Sequence, residues 1–390
     1  MSRGAVICYE CALMSAAQRL SIISPVQDFL FFFLSAAAVL LAWAATAIFH
    51  VNPTYVLVTV GVVSNDPHLV ATWSRVYFDR REVRERPFAL LVMPAIIFVL
   101  VALTTWQGGG FLAVIHDAFA DTPLPPHLVP GLGSRLLNSV ILYWATWHFV
   151  AQNWGILRIY QRKSGEPVTS FATKLERPLL LLVVLFTMAH RIATGPRILF
   201  GVEVLYPPLP REWVLTLLLP IGVLTGMLVT ARIRERNAPW AKAAWIRFAF
   251  IACSFLGFFV PFQLITSDDT SAFAAAASWH GFQYLGMVRY YHRNTWRAGV
   301  DPQARVISWL SQPGWARASL YLAMLLSLAG AVYGVIYALS LVTPWNFYTW
   351  VGIVWVSLTL SHYWMDGVIW KLRRPELAQR VGIDVAGSPA

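Results

Sequence analysis

Residues 146–163, TWHFVAQNWGILRIYQRK, and residues 278–294, SWHGFQYLGMVRYYHRN, repeat one pattern: Trp-His, a nearby glutamine, a glycine, then Arg-x-Tyr. Each copy sets an imidazole beside a side-chain amide, with Gln152 four residues after His148 and Gln283 three after His280. The stretch SHYWMDGVIWKLRR (361–374) adds His362 with Asp366 four residues on, and DPHLVATWSRVYFDR (66–80) adds His68 two residues after Asp66. Positions three or four apart share a helix face, so each oxygen group can ligate beside its histidine or fix the tautomer of the ring from behind. Gln152, Gln283 and Asp366 are therefore the candidate catalytic groups. His68, His148, His280 and His362, joined by His190, are the candidate metal ligands. Imidazole with limited carboxylate suits iron, copper or zinc, and iron with open positions permits dioxygen chemistry. There is no thiolate cluster at these positions and no acidic cage for calcium or magnesium.

The elements that carry these residues are apolar. The chain of 390 residues is 57% hydrophobic and 13% charged, with a mean hydropathy of +0.58, which is the composition of an integral membrane protein. Ten apolar runs, 28–50, 54–78, 87–106, 135–160, 177–200, 212–232, 240–266, 271–292, 315–341 and 346–370, are each long enough to cross a hydrocarbon core of about 30 Å. The runs are continuous and lack the ten-residue alternation of barrel strands, so the expected fold is all-α, a polytopic transmembrane helical bundle of about ten spans. The first run is too long for a cleaved signal peptide. The net charge of +11 gathers in alternate loops, such as DRREVRERP (79–87) and the tail KLRRPELAQR, which signals topology rather than nucleic-acid binding. Both termini are expected in the cytoplasm: a segment 1–27, one bundle domain over 28–371 and a tail over 372–390, in a bacterial inner membrane. The Gly- and Pro-rich connection 107–134 is expected to cap the outer face.

Counting from the cytoplasmic basic residue that closes each span sets a common depth. His68 is twelve residues before Arg80, His148 fourteen before Arg162, His280 thirteen before Arg293 and His362 nine before Lys371, or roughly 14–21 Å at 1.5 Å per residue. His190, thirteen after Arg177, reaches the same level on an antiparallel span. Ionisable side chains inside spans usually face the bundle interior and mark function. His50, His116, His127 and His292 fall at ends or loops, where solvent or headgroups are the expected contacts. Trp144, Trp147, Tyr284, Tyr363 and other aromatic residues close to the histidines suit either core packing or the walls of a long apolar ligand site. Arg75, Arg158 and Arg289 are expected to snorkel to the inner face, and Gly155 and Gly286 to let helices approach closely. Cys8 and Cys11 form a lone C-x-x-C, expected to be incidental thiols.

At Pro67-His68, Trp147-His148-Phe149, His280 and His362 the chain resembles the bacterial membrane carotene-dioxygenase family. The resemblance covers these short islands. It implies a non-haem iron held by histidines of several membrane helices, a tunnel that admits a polyene, and cleavage of a lipophilic substrate by oxygen. The H-x-x-H-H and H-x-x-x-H boxes of membrane desaturases and hydroxylases are missing. Two other functions use the same histidines: a transporter, in which they relay protons or bind solute at the midplane, and haem binding by facing imidazoles for electron transfer or gas sensing. The expected partners are the lipid bilayer, a lipophilic small molecule and an electron donor.

Overall fold

The computed structural model describes residues 20–105, 131–195, 198–199, 202–265 and 269–383. Cys8, Cys11, His116, His127 and nearly all of the connection 107–134 lie outside the described residues. Ten long helices occupy the ten apolar runs: α1 (Pro25–Ala47), α2 (53–76), α3 (Phe88–Thr105), α4 (Leu132–Ser164), α5 (Phe171–Thr194), α6 (Arg211–Arg234), α7 (Ala241–Leu264), α8 (Asp269–Thr295), α9 (Trp315–Val342) and α10 (Phe347–Ile369). Among the described residues the structure is all-α apart from a two-residue antiparallel ladder, Ile198–Leu199 against Val202–Glu203.

Five of these helices, α1, α3, α6, α7 and α9, are long and apolar enough to cross a membrane. In α1, α3, α6 and α9 only 11–22% of the most apolar window is buried, so their hydrophobic side chains face outward. The remaining five, α2, α4, α5, α8 and α10, carry the polar groups that lower their hydropathy, and they carry them inward: Asp66, His68, His148, Glu176, His280 and His362 are all buried. Apolar helices thus surround polar-cored ones, as the high cost of exposing a polar group to hydrocarbon requires.

Helix α8 runs through the centre, buried from 271 to 288 except at Phe282. Its Ala-rich first half keeps the neighbours close, and Gly281 brings α2 closer still: a Cβ there would stand 2.5 Å from Ser64 Oγ. Ser64 Oγ donates instead to the Ser278 carbonyl at 2.9 Å. Gly286 likewise abuts Phe31, within 2.7 Å of a built Cβ, as its expected role in close packing requires. Gly155 differs, with nothing within 4 Å of its Cβ position; it lines a cavity rather than a helix contact.

Asn52 caps α2 by accepting from Thr54 N–H, with Pro53 in the first turn. A wide π turn over Gly61–Asn65 then precedes Asp66-Pro67-His68. Pro67 has no N–H to give the ladder, and such wide turns recur beside functional sites. The helix continues through Pro67 to Val76. Asn346 caps α10 by accepting from Thr349 N–H, and α4 ends at Gly165, whose φ of 74° lies in the left-handed region open to glycine.

The two flanking segments pack onto the bundle. Ile22 is fully buried, and Asp28 accepts from the Ile22 and Ile23 N–H groups and the Tyr160 hydroxyl at 2.6–2.8 Å. In the tail, a short helix, Pro375–Arg380, buries Leu377 and Ala378, and Val381 and Ile383 follow into the same cluster. Several basic residues read as loop charges are internal. Arg232 and Arg247, nearly fully buried, pair with Glu166 and Glu176 across α5, α6, α7 and the turn after α4. Burial alone would raise the Glu166 carboxyl, but Arg247 and Arg232 hold it below the usual glutamate range.

Candidate metal centre

Four helices each deliver one imidazole to a single point. His68 (α2), His148 (α4), His280 (α8) and His362 (α10) offer ring nitrogens that all lie within 4.8 Å of one another, and all four residues are buried. Nε2 of His68 is 2.9 Å from Nε2 of His362, which is 3.1 Å from Nε2 of His148, which is 3.0 Å from Nε2 of His280. The rings pack edge to face, with centroids 4.3 Å apart for His68 and His362 and 4.9 Å for His68 and His280. Phe149 and Tyr363 cover His280 and His148 at centroid distances of 4.5 and 4.6 Å.

Neutral rings cannot satisfy this arrangement by themselves. Each Nε2 carries either one proton or one lone pair, so a line of four nitrogens with three contacts has at most two donors that find acceptors; the remaining contact sets a lone pair against a nitrogen whose proton points elsewhere. Extra protons would place charge in a buried site with only the Asp366 carboxylate, 3.7–3.9 Å away, to pair with it, which is costly. One cation at the convergence point accepts all four lone pairs. The four buried histidines can therefore hold a metal ion.

The groups behind the ligands are ordered by the same logic. With an ion accepting its Nε2 lone pair, His362 would carry its proton on Nδ1 and donate to Thr72 Oγ1, 2.7 Å away. Thr72 would then donate to the Tyr284 hydroxyl at 2.8 Å, and Tyr284 donates to Asp366 Oδ1 at 2.7 Å. The other carboxylate oxygen, Oδ2, faces the centre, 3.7 Å from His362 Nε2 and 3.9 Å from His148 Nε2. Asp366 thus stands within one bridging atom of the metal position, the relation in which a carboxylate ligates or accepts from a bound water. Thr72 was not among the candidates and Tyr284 was read only as core packing or an aromatic wall, although each lies four residues after a histidine, His68 and His280.

Gln152 and Gln283 stand one layer back. Gln152 Nε2 donates to Gln283 Oε1 and to the His280 carbonyl, both at 3.0 Å, which ties α4 to α8 beside the cluster. His190 is not brought to the centre: its Nδ1 pairs with Gln263 Oε1 at 2.5 Å, and its ring lies by Phe186. A common depth did not suffice, because α5 packs at the side of the bundle that holds α6 and α7. Asp66 turns from His68 and accepts from the Tyr333 hydroxyl at 3.0 Å.

Other expectations are corrected. His292 is fully buried, with Nε2 2.9 Å from Ser74 Oγ and its ring stacked on Trp296. Arg75 does not snorkel; it is fully buried, held between the Tyr291 and Trp370 rings at 4.1 Å from each centroid, and donates to the Ile369 carbonyl at 3.0 Å. Arg289 donates to the carbonyls of Leu310 and Gln312. The aromatic rings supply more than the two they donate to this cation, since Tyr284 and Trp370 also close the ligand layer, with Trp370 Nε1 3.4 Å from the Tyr284 hydroxyl.

Two cavities reach the cluster. One, of about 210 Å³, lies between α4 and α10 and is lined by His148, Gln152, Tyr284 and Asp366 at its deep end. The other, of about 360 Å³, is lined by Asp66, His68, Phe149 and Trp355. Tyr363 borders both. Comparison of the chain with family models, curated proteins and solved structures returns no match.

Proposed function

We propose that the protein is an integral membrane oxidoreductase, a non-haem iron oxygenase acting on a lipid or isoprenoid. The observation that carries this is the convergence of four buried Nε2 atoms at 2.9–3.1 Å between neighbours. Four imidazoles with one carboxylate nearby would suit iron, copper or zinc, and iron with open positions would permit dioxygen chemistry. When bound, such an iron supplies the activation of dioxygen.

The chain's own residues do the rest. The four imidazoles fix the ion, Thr72 fixes one tautomer, and Asp366 accepts or returns a proton at Oδ2, facing the open side. Apolar cavities on two sides exclude bulk water and present a lipophilic substrate to the centre. The resemblance to membrane carotene dioxygenases points to the same class of chemistry. A ten-span bundle with cytoplasmic termini in a bacterial inner membrane, and an electron donor at the inner face, belong to this proposal.

The alternatives are less well supported. Imidazole centroids 4.3–4.9 Å apart leave no plane for a porphyrin between facing rings. Helical backbone continues through Pro67 and Pro94 after a π turn in each case, whereas transporters commonly bind solute at unwound helices. The test is oxygen uptake by detergent-purified, iron-loaded protein given extracted membrane lipids or a polyene, with the products identified by mass spectrometry. Lipid-dependent oxygen consumption that disappears in His148→Ala and His280→Ala supports the proposal; none in iron-loaded wild type ends it. A Soret band would establish the haem reading instead.

A further inference from the structure

The cavity between α4 and α10 is elongated. On α4, His148, Gln152, Gly155 and Ile159 line it at the three- and four-residue steps of one helix face. The eleven residues from His148 to Ile159 span about 17 Å at 1.5 Å per residue, roughly half of a 30 Å hydrocarbon core. On α10 the opposing stripe descends through Tyr363 and Gly367 to Lys371. Bulk is withheld from both walls midway: neither Gly155 nor Gly367 has an atom within 4 Å of its Cβ position. Trp147, at the upper end, is 55% exposed on the outer surface of the bundle, so the groove communicates with the surrounding lipid.

Polarity occurs at the two ends. The deep end holds the histidine cluster and Asp366; the mouth holds Lys371. A second groove shares Leu372 with the first and is lined by Arg162 and Arg373. The carboxylate lining that groove, Glu166, is committed to Arg232 and Arg247. An apolar groove alone would accept any hydrocarbon. An apolar groove half a membrane long that ends in uncompensated cations at the basic face is complementary to one kind of molecule.

We propose that this groove binds a single-chain anionic amphiphile, its carboxylate or phosphate head at Lys371 within the field of Arg162 and Arg373, and its chain directed up the groove to the histidine cluster. Naming this amphiphile as the substrate rests on the oxygenase reading above; its binding does not.

The test uses the full chain in nanodiscs of neutral phosphatidylcholine, with the fluorescent fatty acid cis-parinaric acid as probe and energy transfer from tryptophan as readout. Hexadecanoate, hexadecyl phosphate, hexadecanol and methyl hexadecanoate compete. Both anions are expected to displace the probe at concentrations about tenfold or more below the neutral pair, and the tighter of the two identifies the head. Lys371→Glu is expected to abolish that preference. Gly155→Phe, whose Cβ meets no neighbour within 4 Å and whose ring would enter the groove, is expected to weaken all four by about tenfold or more, with wild-type metal content. Equal competition by all four in the wild type, or wild-type binding by Gly155→Phe, overturns the proposal. A wild type that binds amphiphile in this way but takes up no metal would sink the oxygenase reading and leave this site standing.

Discussion

Thr72→Val nearly preserves side-chain volume and removes one hydroxyl. In the metal-bound protein the His362 Nδ1 proton then has no acceptor, because Thr72 Oγ1 at 2.7 Å is its partner. A buried donor left unsatisfied costs about 1–3 kcal/mol. In the metal-free protein the ring escapes that cost by carrying its proton on Nε2, so the penalty falls on the metal-bound state. The expected loss is roughly five- to 150-fold in metal affinity, which brackets the 10–100-fold typical of groups that orient ligands. Tyr284 keeps its bond to Asp366 at 2.7 Å, so the remainder of the network persists. Chelator competition against purified protein measures the affinity, and Thr72→Ser, which restores the hydroxyl, should recover most of it. A Thr72→Val affinity within about threefold of wild type, or a serine variant as weak as the valine, would refute the donor order derived for this site.

Three further outcomes are expected. His190→Ala should retain wild-type metal content, since His190 pairs with Gln263 rather than the cluster; metal analysis beside His148→Ala checks this. Gly281→Val should lower both metal content and folded yield, because a Cβ there would stand 2.5 Å from Ser64 Oγ and push α2 off α8, whereas Gly155→Val, in open space, should cost neither. Glu166→Ala should lower stability by about 3–5 kcal/mol in thermal unfolding, the cost of stranding a buried charge. Its folded value is depressed, so the stabilisation is complete above the ordinary glutamate range and fades as pH falls through that lower value; wild type should lose stability there and Glu166→Ala should lose less.

The sequence disclosed the helices and the ligands for separable reasons. Apolar run length is a one-dimensional property, so the ten helices were legible, though their ends were set by local chemistry such as Asn52 and Asn346. The four clustered histidines were legible because helices with comparable offsets from their basic ends, nine to fourteen residues, place side chains near one height. Depth carries no azimuth, and His190 shows the consequence: the level was right and the partner was Gln263. The i+4 rule that picked Gln152 and Asp366 applies equally to Thr72 and Tyr284, whose residue types drew less notice. Arg75 and His292 were misjudged because proximity to a span's end suggests water, while the docked tail and the aromatic rings of Tyr291, Trp296 and Trp370 bury them. Gly155 was read as a contact glycine and lines a cavity, a difference only the packed helices reveal.

X-ray absorption at the metal edge of anaerobically purified protein tests the central claim most directly. One metal ion per chain surrounded by four imidazole nitrogens at about 2.1 Å, with no sulfur, is the expected result, and His148→Ala should lose a ligand or the ion itself. Stoichiometric metal bound through sulfur or through fewer than three imidazoles, or a wild-type protein that takes up no metal at all, would contradict it.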